Sequence, residues 1–310
     1  RELNKNLKEI TDWLSSVIGT QNFNLEPLRE EASSRKYFRI STDEKTFVLV
    51  DNSENKEQAA KFLYSSKLLI NSSVNIPETY AFSEDLRFML IQDLGEHTLD
   101  APSDVDDKEI LLKALKQLSL IYFCDQDILK SCTKNSLFEQ TEAFSEFCLE
   151  QGCNENEIKA LESLREQLVE DLLNQQFIPV HNDFERRNLM IYRNELFVID
   201  FQDLNVGPIG IDLASLLFEH DMDYPKELLE EVLSIHIRNS GLQIEADEMM
   251  NHIMVALSHR SMRIVGTFNN YFKNGKLLNR KKDIKKFLSR ICLGLGYLEK
   301  PQLKIIEKIL

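Results

Sequence analysis

The 310-residue chain is poor in the residues from which several common kinds of site are built. It has five cysteines, an odd number, and no C-x-x-C pair. A disulfide framework or a zinc site is therefore not expected, and we predict reduced, mostly buried thiols. The chain also lacks an apolar run long enough to span a bilayer, and no stretch resembles a secretion signal. Together these absences predict a cytoplasmic protein.

Positive charge is in short supply as well. The chain has 37 Lys and Arg against 51 Asp and Glu, which gives a net charge of −14. Such an excess of negative charge repels nucleic-acid backbones and anionic lipid surfaces. We therefore expect neither nucleic acid nor membrane as a partner, and the sequence indicates no obligate protein partner. Local clusters of basic residues remain compatible with phosphate binding.

The spacing of the apolar residues divides the chain into two parts. Residues 3–18 carry apolar side chains three or four positions apart, which indicates a helix. Short apolar or alternating runs follow and indicate strands, with one further helical segment at 57–71. The remainder of the chain has mainly helical spacing. We predict an α+β fold, with a small N-terminal antiparallel-sheet lobe (1–94) and a larger, mainly helical C-terminal lobe (95–310).

The most informative stretch is VHNDFERRNLMIYRNELFVIDFQD, residues 180–203. In it, His181, Asp183 and Asn188 form the pattern H-x-D-x-x-x-x-N, and Asp200 follows a predicted hairpin. Phosphoryl transfer needs one carboxylate beside the attacking hydroxyl and oxygen ligands for the magnesium ions. We predict Asp183 as the catalytic base, or at least as the group that orients the hydroxyl. Asn188 and Asp200 are the predicted magnesium ligands.

An ordinary hairpin that carries surface polar groups is the alternative for this stretch. An H-x-D pattern alone is common, whereas four such residues in order around a hairpin favour the catalytic interpretation. We expect His181 to brace the loop by hydrogen bonding rather than to transfer protons. The order of the elements, taken with this loop, predicts a bilobal protein-kinase-like architecture with a nucleotide held between the lobes.

Four stretches of the sequence carry a family resemblance. They are EEASSRKYFRI (30–40), MLIQDLG (89–95), NDFERRNLM with IDFQDLNVGPIGIDLASLL (within 182–217), and LSHRSMRIVGTF (257–268). The chain resembles the aminoglycoside phosphotransferase and choline kinase superfamily over nearly its whole length. More narrowly, it is similar to bacterial anomeric kinases that act on N-acetylmuramate and N-acetylglucosamine in cell-wall recycling. The resemblance implies ATP and Mg²⁺ as cofactors and a small-molecule sugar as the acceptor.

The resemblance also implies residues for nucleotide binding. Ser33 and Ser34 take the place of a phosphate-covering loop, although this segment contains no glycine. Small residues still allow backbone amides to approach a phosphate. The backbone of Gln92 and Leu94 is expected to bond the adenine edge at the hinge between the lobes. An ordinary strand end is the alternative for this hinge segment.

One cation that related kinases use for nucleotide binding is missing. They usually place a lysine on the third strand, where it pairs with the α- and β-phosphates, and residues 47–51 contain none. Arg35, Lys36 and Arg39 are the nearby cations. We rank Arg39 first, and a solvated charge on the face of the strand is the alternative for it.

The acceptor site is expected in the helical lobe. Arg260 and Arg263 lie three residues apart and share a helix face, where a guanidinium suits the lactyl carboxylate of N-acetylmuramate. Glu185 and Asp203 are further candidates for substrate contact. Asp212 is expected to fix the catalytic loop and is interpreted as structural. The alternatives are a solvated helix face for the arginines, a simple turn for Asp203 and a helix N-terminal carboxylate for Asp212.

The leading functional prediction is ATP-dependent phosphorylation of the anomeric hydroxyl of N-acetylmuramate or N-acetylglucosamine. Two alternatives stay open. A kinase for another small alcohol, namely choline, an aminoglycoside, thiamine or homoserine, is compatible with the acidic segment at 219–223. A nucleotide-binding pseudokinase would explain the missing strand lysine and the glycine-free loop. The complete set of Asp183, Asn188 and Asp200 argues against that last alternative.

Overall fold

The computed structural model describes residues 2–28, 35–101 and 104–310, with side chains described from residue 6 onward. The chain forms two compact units, Arg1–Thr98 with Met190–Asp203 and Leu99–Leu189 with Leu204–Leu310. The division after residue 94 stays a prediction. Residues 190–203, which that division assigns to the second lobe, belong to the smaller compact unit. No helix of the described segments is both long and apolar enough to cross a membrane.

Strands are short and concentrated near the N-terminus. They are β1 (Asn24–Pro27), β2 (Lys36–Ser41), β3 (Thr46–Asp51), β4 (Thr79–Phe82), β5 (Phe88–Gln92), β6 (Phe177–Val180), β7 (Leu189–Tyr192), β8 (Glu195–Val198) and β9 (Asn205–Pro208). The first five form one antiparallel sheet in the order β1-β2-β3-β5-β4. Strand β6 pairs antiparallel with β9, and β7 pairs with β8.

Helices make up most of the larger unit. They are α1 (Glu2–Ile18), α2 (Lys56–Asn71), α3 (Asp107–Ile121), α4 (Lys134–Glu139), α5 (Glu142–Glu150), α6 (Glu155–Leu173), α7 (Gly210–Leu217), α8 (Lys226–Ser240), α9 (Ala246–Lys273), α10 (Ile284–Tyr297) and α11 (Leu303–Ile309). Of these, α1 and α2 belong to the smaller unit. A small antiparallel sheet in one unit and a mainly helical second unit confirm the predicted α+β class.

The core of the smaller unit explains the apolar spacing of its first helix. Ile10 and Leu14 of α1 are four residues apart, so they lie on one face and are almost completely buried. They pack against Ile40, Leu49 and Leu90, which come from three neighbouring strands of the sheet. Alternate residues of each strand point to this core, and the register of the sheet is fixed by that alternation.

The long helix α9 is the centre of the larger unit. It packs against α5, α6, α7, α8 and α10. Its approach to α5 is close enough to require a glycine. A Cβ at Gly266 would lie 2.7 Å from the backbone nitrogen of Phe144, a separation that real Cβ atoms do not adopt. This packing fixes the position of α9, and therefore of the arginines on its middle turns.

Candidate active site

The H-x-D segment leaves strand β6 and is held in place from α7. The buried carboxylate of Asp212 accepts hydrogen bonds from the backbone N–H groups of His181 (2.7 Å) and Asn182 (2.9 Å). Asn182 has a φ of 76°, in the left-handed region, so the two bonds hold a turn that the backbone does not favour alone. The ring of His181 accepts a hydrogen bond at Nδ1 from the N–H of Asp183 (3.1 Å).

The carboxylate of Asp183 lies among positively charged groups. Arg260 on α9 places Nη2 2.5 Å from Oδ1, and Arg187 places Nη2 2.6 Å from Oδ2. The amide nitrogen of Asn188 donates to the backbone oxygen of Asp183 (2.8 Å) and to Oδ2 (3.1 Å). The structure thus brings three residues of the predicted site, Asp183, Asn188 and Arg260, into direct contact.

These contacts determine the charge of Asp183. Burial alone raises the pKa of its carboxyl group, but the positive charges of Arg187 and Arg260 lower it more, so the pKa lies well below its usual range. The group is therefore a carboxylate at any physiological pH. Such an anion accepts a hydrogen bond from a substrate hydroxyl and orients it, while it holds a transferred proton only weakly.

Glu185 is buried and belongs to the same cluster of charged groups as Asp183. The residue is 4% exposed, and it forms ion pairs with Arg187 and with Arg260 Nη2 (3.4 Å). Burial and the neighbouring charge of Asp183 raise the pKa of Glu185 above its ordinary value. The positive charges of Arg187 and Arg260 act in the opposite direction.

Another buried acid, Glu219, was noted in the sequence only as the first residue of the acidic segment 219–223. It follows the apolar helix α7, and its Oε2 accepts a hydrogen bond from the backbone N–H of Arg186 (3.2 Å). Burial and the charge of Glu185 raise the pKa of Glu219 to about 8. The signal available in the sequence was an acid directly after a run of apolar residues, a position where it is easily buried.

Arg186 fastens the loop to another part of the larger unit. Its Nε donates to the carbonyl of Leu99 (2.8 Å), and its Nη1 contacts Asp107 (2.8 Å) and the hydroxyl of Tyr224 (3.2 Å). The guanidinium is buried, so these contacts position the catalytic loop.

Arg263 differs from Arg260 although the two share a face of α9. Within the part of the chain that the structure describes, Arg263 forms no ion pair, whereas Arg260 binds Asp183 and Glu185. Burial and the charge of Arg260 lower the pKa of Arg263 to about 10. A partly buried guanidinium that forms no ion pair among the described residues is available to bind an anion.

Asp200 belongs to the smaller unit, where it follows strand β8. Its backbone has a φ of 56°, an uncommon value for an aspartate. Its Oδ1 accepts hydrogen bonds from Arg35 Nη2 (3.3 Å) and from the side-chain amide of Gln202. Asp203 is exposed at the end of this segment, and its contact with substrate stays a prediction.

The predicted magnesium ligands can be tested for fit by their free donor atoms. Asn188 uses its amide nitrogen in both of its contacts with Asp183, so its Oδ1 is the atom that would meet a cation. No group of three or more His, Cys, Asp or Glu side chains suited to a metal exists among the described residues. Asn188 Oδ1 and the carboxylate of Asp200 are each oxygen donors, the ligand type that Mg²⁺ prefers, and both stay predicted ligands.

The residues expected to bind the nucleotide have varied surroundings. Arg39 forms a bidentate pair with Asp93 (2.8 and 3.3 Å) and also contacts Gly95 and Glu96. It is thus committed to the segment after β5. The N–H of Gln92 donates to the backbone carbonyl of Glu78 (2.8 Å), and Leu94 is buried. The contact of their backbone with adenine stays a prediction. The predicted phosphate-loop residues Ser33 and Ser34 lie outside the described residues.

With this geometry established, comparison with known proteins identifies the family. The model of the phosphotransferase enzyme family matches residues 24–246, well over half of the chain. The chain belongs to this family. The predicted superfamily and the predicted phosphotransferase class are thereby confirmed.

Individual relatives extend the likeness over most of the chain. A Neisseria meningitidis serogroup B protein named N-acetylmuramate/N-acetylglucosamine kinase is 28% identical over 285 residues, which covers 86% of this chain and 85% of that protein. Choline kinase LicA from Streptococcus pneumoniae superposes with a TM-score of 0.66 at 16% identity, covering 95% of this chain and 99% of that chain. The ADP-bound aminoglycoside phosphotransferase APH(2'')-Ib gives 0.63 at 17% identity, covering 96% and 98%. The two solved structures support the protein-kinase-like fold.

Proposed function

We propose that this protein is an ATP- and Mg²⁺-dependent kinase for the anomeric hydroxyl of N-acetylmuramate and N-acetylglucosamine. Relatives of that name cover most of the chain. The observation that carries the proposal is the ionised carboxylate of Asp183, held between Arg260 and Arg187 within the H-x-D-x-x-x-x-N loop. A fixed anion of this kind is the group that a kinase places beside the attacking hydroxyl.

The roles of the loop residues follow from their contacts. Asp183 accepts the hydrogen bond of the sugar hydroxyl and orients its oxygen, while Arg187, Arg260 and Asn188 fix the position of the carboxylate. Asp212 keeps the turn before Asp183 in shape through two backbone hydrogen bonds. Asn188 Oδ1 and Asp200 are the proposed Mg²⁺ ligands. When bound, Mg²⁺ neutralises charge on the nucleotide phosphates.

The positive charge near Asp183 bears on the choice of acceptor. Arg260 is already paired with two carboxylates, so we assign the lactyl carboxylate of N-acetylmuramate to Arg263. N-acetylglucosamine has no such group and would not use this contact. A cationic acceptor such as choline or an aminoglycoside would be repelled by the charge of Arg263, which argues against such an acceptor. A cytoplasmic location and the lack of an obligate protein partner remain parts of the proposal.

The proposal is tested by offering the purified protein ATP and Mg²⁺ with one acceptor at a time. The acceptors are N-acetylmuramate, N-acetylglucosamine, choline and kanamycin, and phosphorus NMR identifies the product. We expect a sugar 1-phosphate signal with the two amino sugars and no such signal with the variant Asp183→Asn. Transfer only to choline or kanamycin would move the assignment to those acceptors. ATP binding without transfer to any acceptor would favour a pseudokinase.

A further inference from the structure

Within the smaller unit, a buried arginine pairs with the predicted metal ligand. Arg35 directly precedes β2, and its Nη2 lies 3.3 Å from Oδ1 of Asp200, 165 positions along the chain. The side chain of Arg35 is 5% exposed, whereas that of Asp200 is 27% exposed. The guanidinium also lies over the ring of Tyr37, 5.8 Å from its centroid. In this pair the arginine is thus buried, whereas the carboxylate is partly accessible to solvent.

The other two cations near the start of β2 have different partners. Arg39 is committed to Asp93 by a bidentate contact. Lys36 is half-exposed and pairs with Glu54 on the surface. Strand β3 contains no lysine or arginine. Of the three cations considered from the sequence, Arg35 is therefore the one whose charge lies at Asp200.

Burial makes the partner of Arg35 important. A buried guanidinium that loses its counter-ion destabilises the fold, because its charge is then left uncompensated away from water. If Asp200 binds a divalent cation, its negative charge is shared with that cation and Arg35 is left undercompensated. A second anion at the same place restores the balance, and the planar fork of a guanidinium matches phosphate oxygens.

We propose that Arg35 is the phosphate-binding cation of the nucleotide site. It holds Asp200 while the site lacks nucleotide, and it pairs with the polyphosphate of a nucleoside di- or triphosphate when that ligand is bound with its metal. In this chain it replaces the lysine that β3 lacks. The inference rests on the proposed function in one respect, because it takes Asp200 as a magnesium ligand.

The test measures nucleotide binding without any acceptor, by isothermal titration calorimetry with ADP in the presence of Mg²⁺. Arg35→Met keeps the apolar stem and removes the charge, and Lys36→Met is the matched control one residue away. We expect Arg35→Met to lose about 10- to 100-fold in affinity for ADP, since hydrogen bonds to charged groups have this effect. Lys36→Met should bind ADP as the unmodified protein does.

Adenosine, which has no phosphate, separates phosphate binding from damage to the fold. Arg35→Met should bind adenosine with unchanged affinity, and Arg35→Lys should recover part of the lost ADP affinity. Unchanged ADP affinity in Arg35→Met would overturn the inference, and so would an equal loss for ADP and adenosine. If Arg35→Met does not fold, Arg35→Lys decides: a loss for ADP alone supports the role, and any other result overturns it.

This measurement is independent of the identity of the acceptor. If none of the tested sugars is phosphorylated, the proposed function fails while the difference between ADP and adenosine in Arg35→Met still supports the role of Arg35. If the unmodified protein does not bind ADP, the inference about Arg35 fails directly.

Discussion

A single nitrogen of Arg260 contacts two carboxylates of the catalytic loop, Asp183 at 2.5 Å and Glu185 at 3.4 Å. The arginine lies on the middle of α9, and both acids lie in the loop after β6. Helix α9 thereby sets the charge of the group that is proposed to meet the substrate hydroxyl. Arg260 was expected to bind substrate, which stays a prediction, and its contacts also make it a support for Asp183.

The first prediction concerns the charge that Arg260 supplies. Its positive charge helps to lower the pKa of Asp183, so in Arg260→Met that pKa should rise. The acidic limb of the pH profile of kcat/KM should therefore move to higher pH, by about one unit, which corresponds to about 1.4 kcal/mol. Lys273→Met, which removes an exposed cation from the last turn of α9, is the control and should leave the profile unchanged. An unshifted limb in Arg260→Met would contradict the role.

The second prediction concerns Asp183 itself. Asp183→Asn preserves the shape of the side chain but removes the anion that orients the hydroxyl. We expect kcat to fall by about 10²- to 10⁴-fold, the usual contribution of such a group. The variant should fold but melt at a lower temperature, because the lowered pKa of Asp183 means that the folded state stabilises its charge through Arg187 and Arg260. Steady-state kinetics and thermal unfolding check the two parts, and near-normal turnover would rule out the assignment.

The third prediction separates the two amino sugars. Arg263→Gln removes the charge proposed to bind the lactyl carboxylate, so KM for N-acetylmuramate should rise by about 10- to 100-fold. KM for N-acetylglucosamine, which lacks this carboxylate, should stay within about twofold, well under 1 kcal/mol. The neutral sugar thus serves as an internal control for damage to the site. Equal effects on the two sugars would assign Arg263 a structural role.

The sequence specified the local part of the site better than its long-range part. The spacing of His181, Asp183 and Asn188 could be read directly, because a loop and the strand beside it are continuous in the chain. The contact between Arg260 and Asp183 joins residues 77 positions apart, and that between Arg35 and Asp200 joins residues 165 positions apart. Local spacing carries no information on such pairs.

The positively charged residues at β2 also show that the sequence does not reveal long-range partners. Neighbouring side chains of β2 point to opposite faces, and this pattern underlies the packed sheet. The ion-pair partner of each cation depends on which distant part of the chain packs against that face of the strand. Asp93, which follows β5, pairs with Arg39, and Asp200 pairs with Arg35. The ranking that placed Arg39 first among the nearby cations did not include these partners.

The fourth prediction concerns the turn that precedes Asp183. In Asp212→Asn, one acceptor oxygen becomes an NH₂ group that faces the backbone N–H of His181 or Asn182. A buried donor is then left unsatisfied, and we expect a loss of stability of about 1–3 kcal/mol. Because the loop loses its shape, kcat should also fall while the affinity for ADP is retained. Urea unfolding, kinetics and calorimetry measure these effects, and unchanged stability would contradict the bracing role.

The fifth prediction is a pH dependence of stability that comes from Glu219. Four groups surround it. Glu185 raises its pKa, the N–H of Arg186 and the charge of Arg260 lower it, and Arg290 donates to its backbone carbonyl. In the folded protein the pKa is about 8, against 4.5 for the ordinary side chain. Between these two values the folded state holds a proton that the unfolded state releases.

The sign of the effect follows from this difference. Stability falls as the pH rises from about 4.5 to 8, because the folded state binds more protons there, and it then levels off. Glu219→Gln imitates the protonated acid at every pH and removes this dependence. Relative to the unmodified protein, the variant should gain little at pH 5 and gain stability at pH 8.5, by at most about 5 kcal/mol.

Thermal unfolding at the two pH values measures the difference. Glu227→Gln, at an exposed position in the first turn of α8, is the control and should shift stability equally at both. A Glu219→Gln variant that is no more favoured at pH 8.5 than at pH 5 would show that Glu219 is ionised in the folded protein. In that case Arg186 and Arg260 would neutralise Glu219 as well as Glu185. The net positive charge around Asp183 would then be smaller than described above.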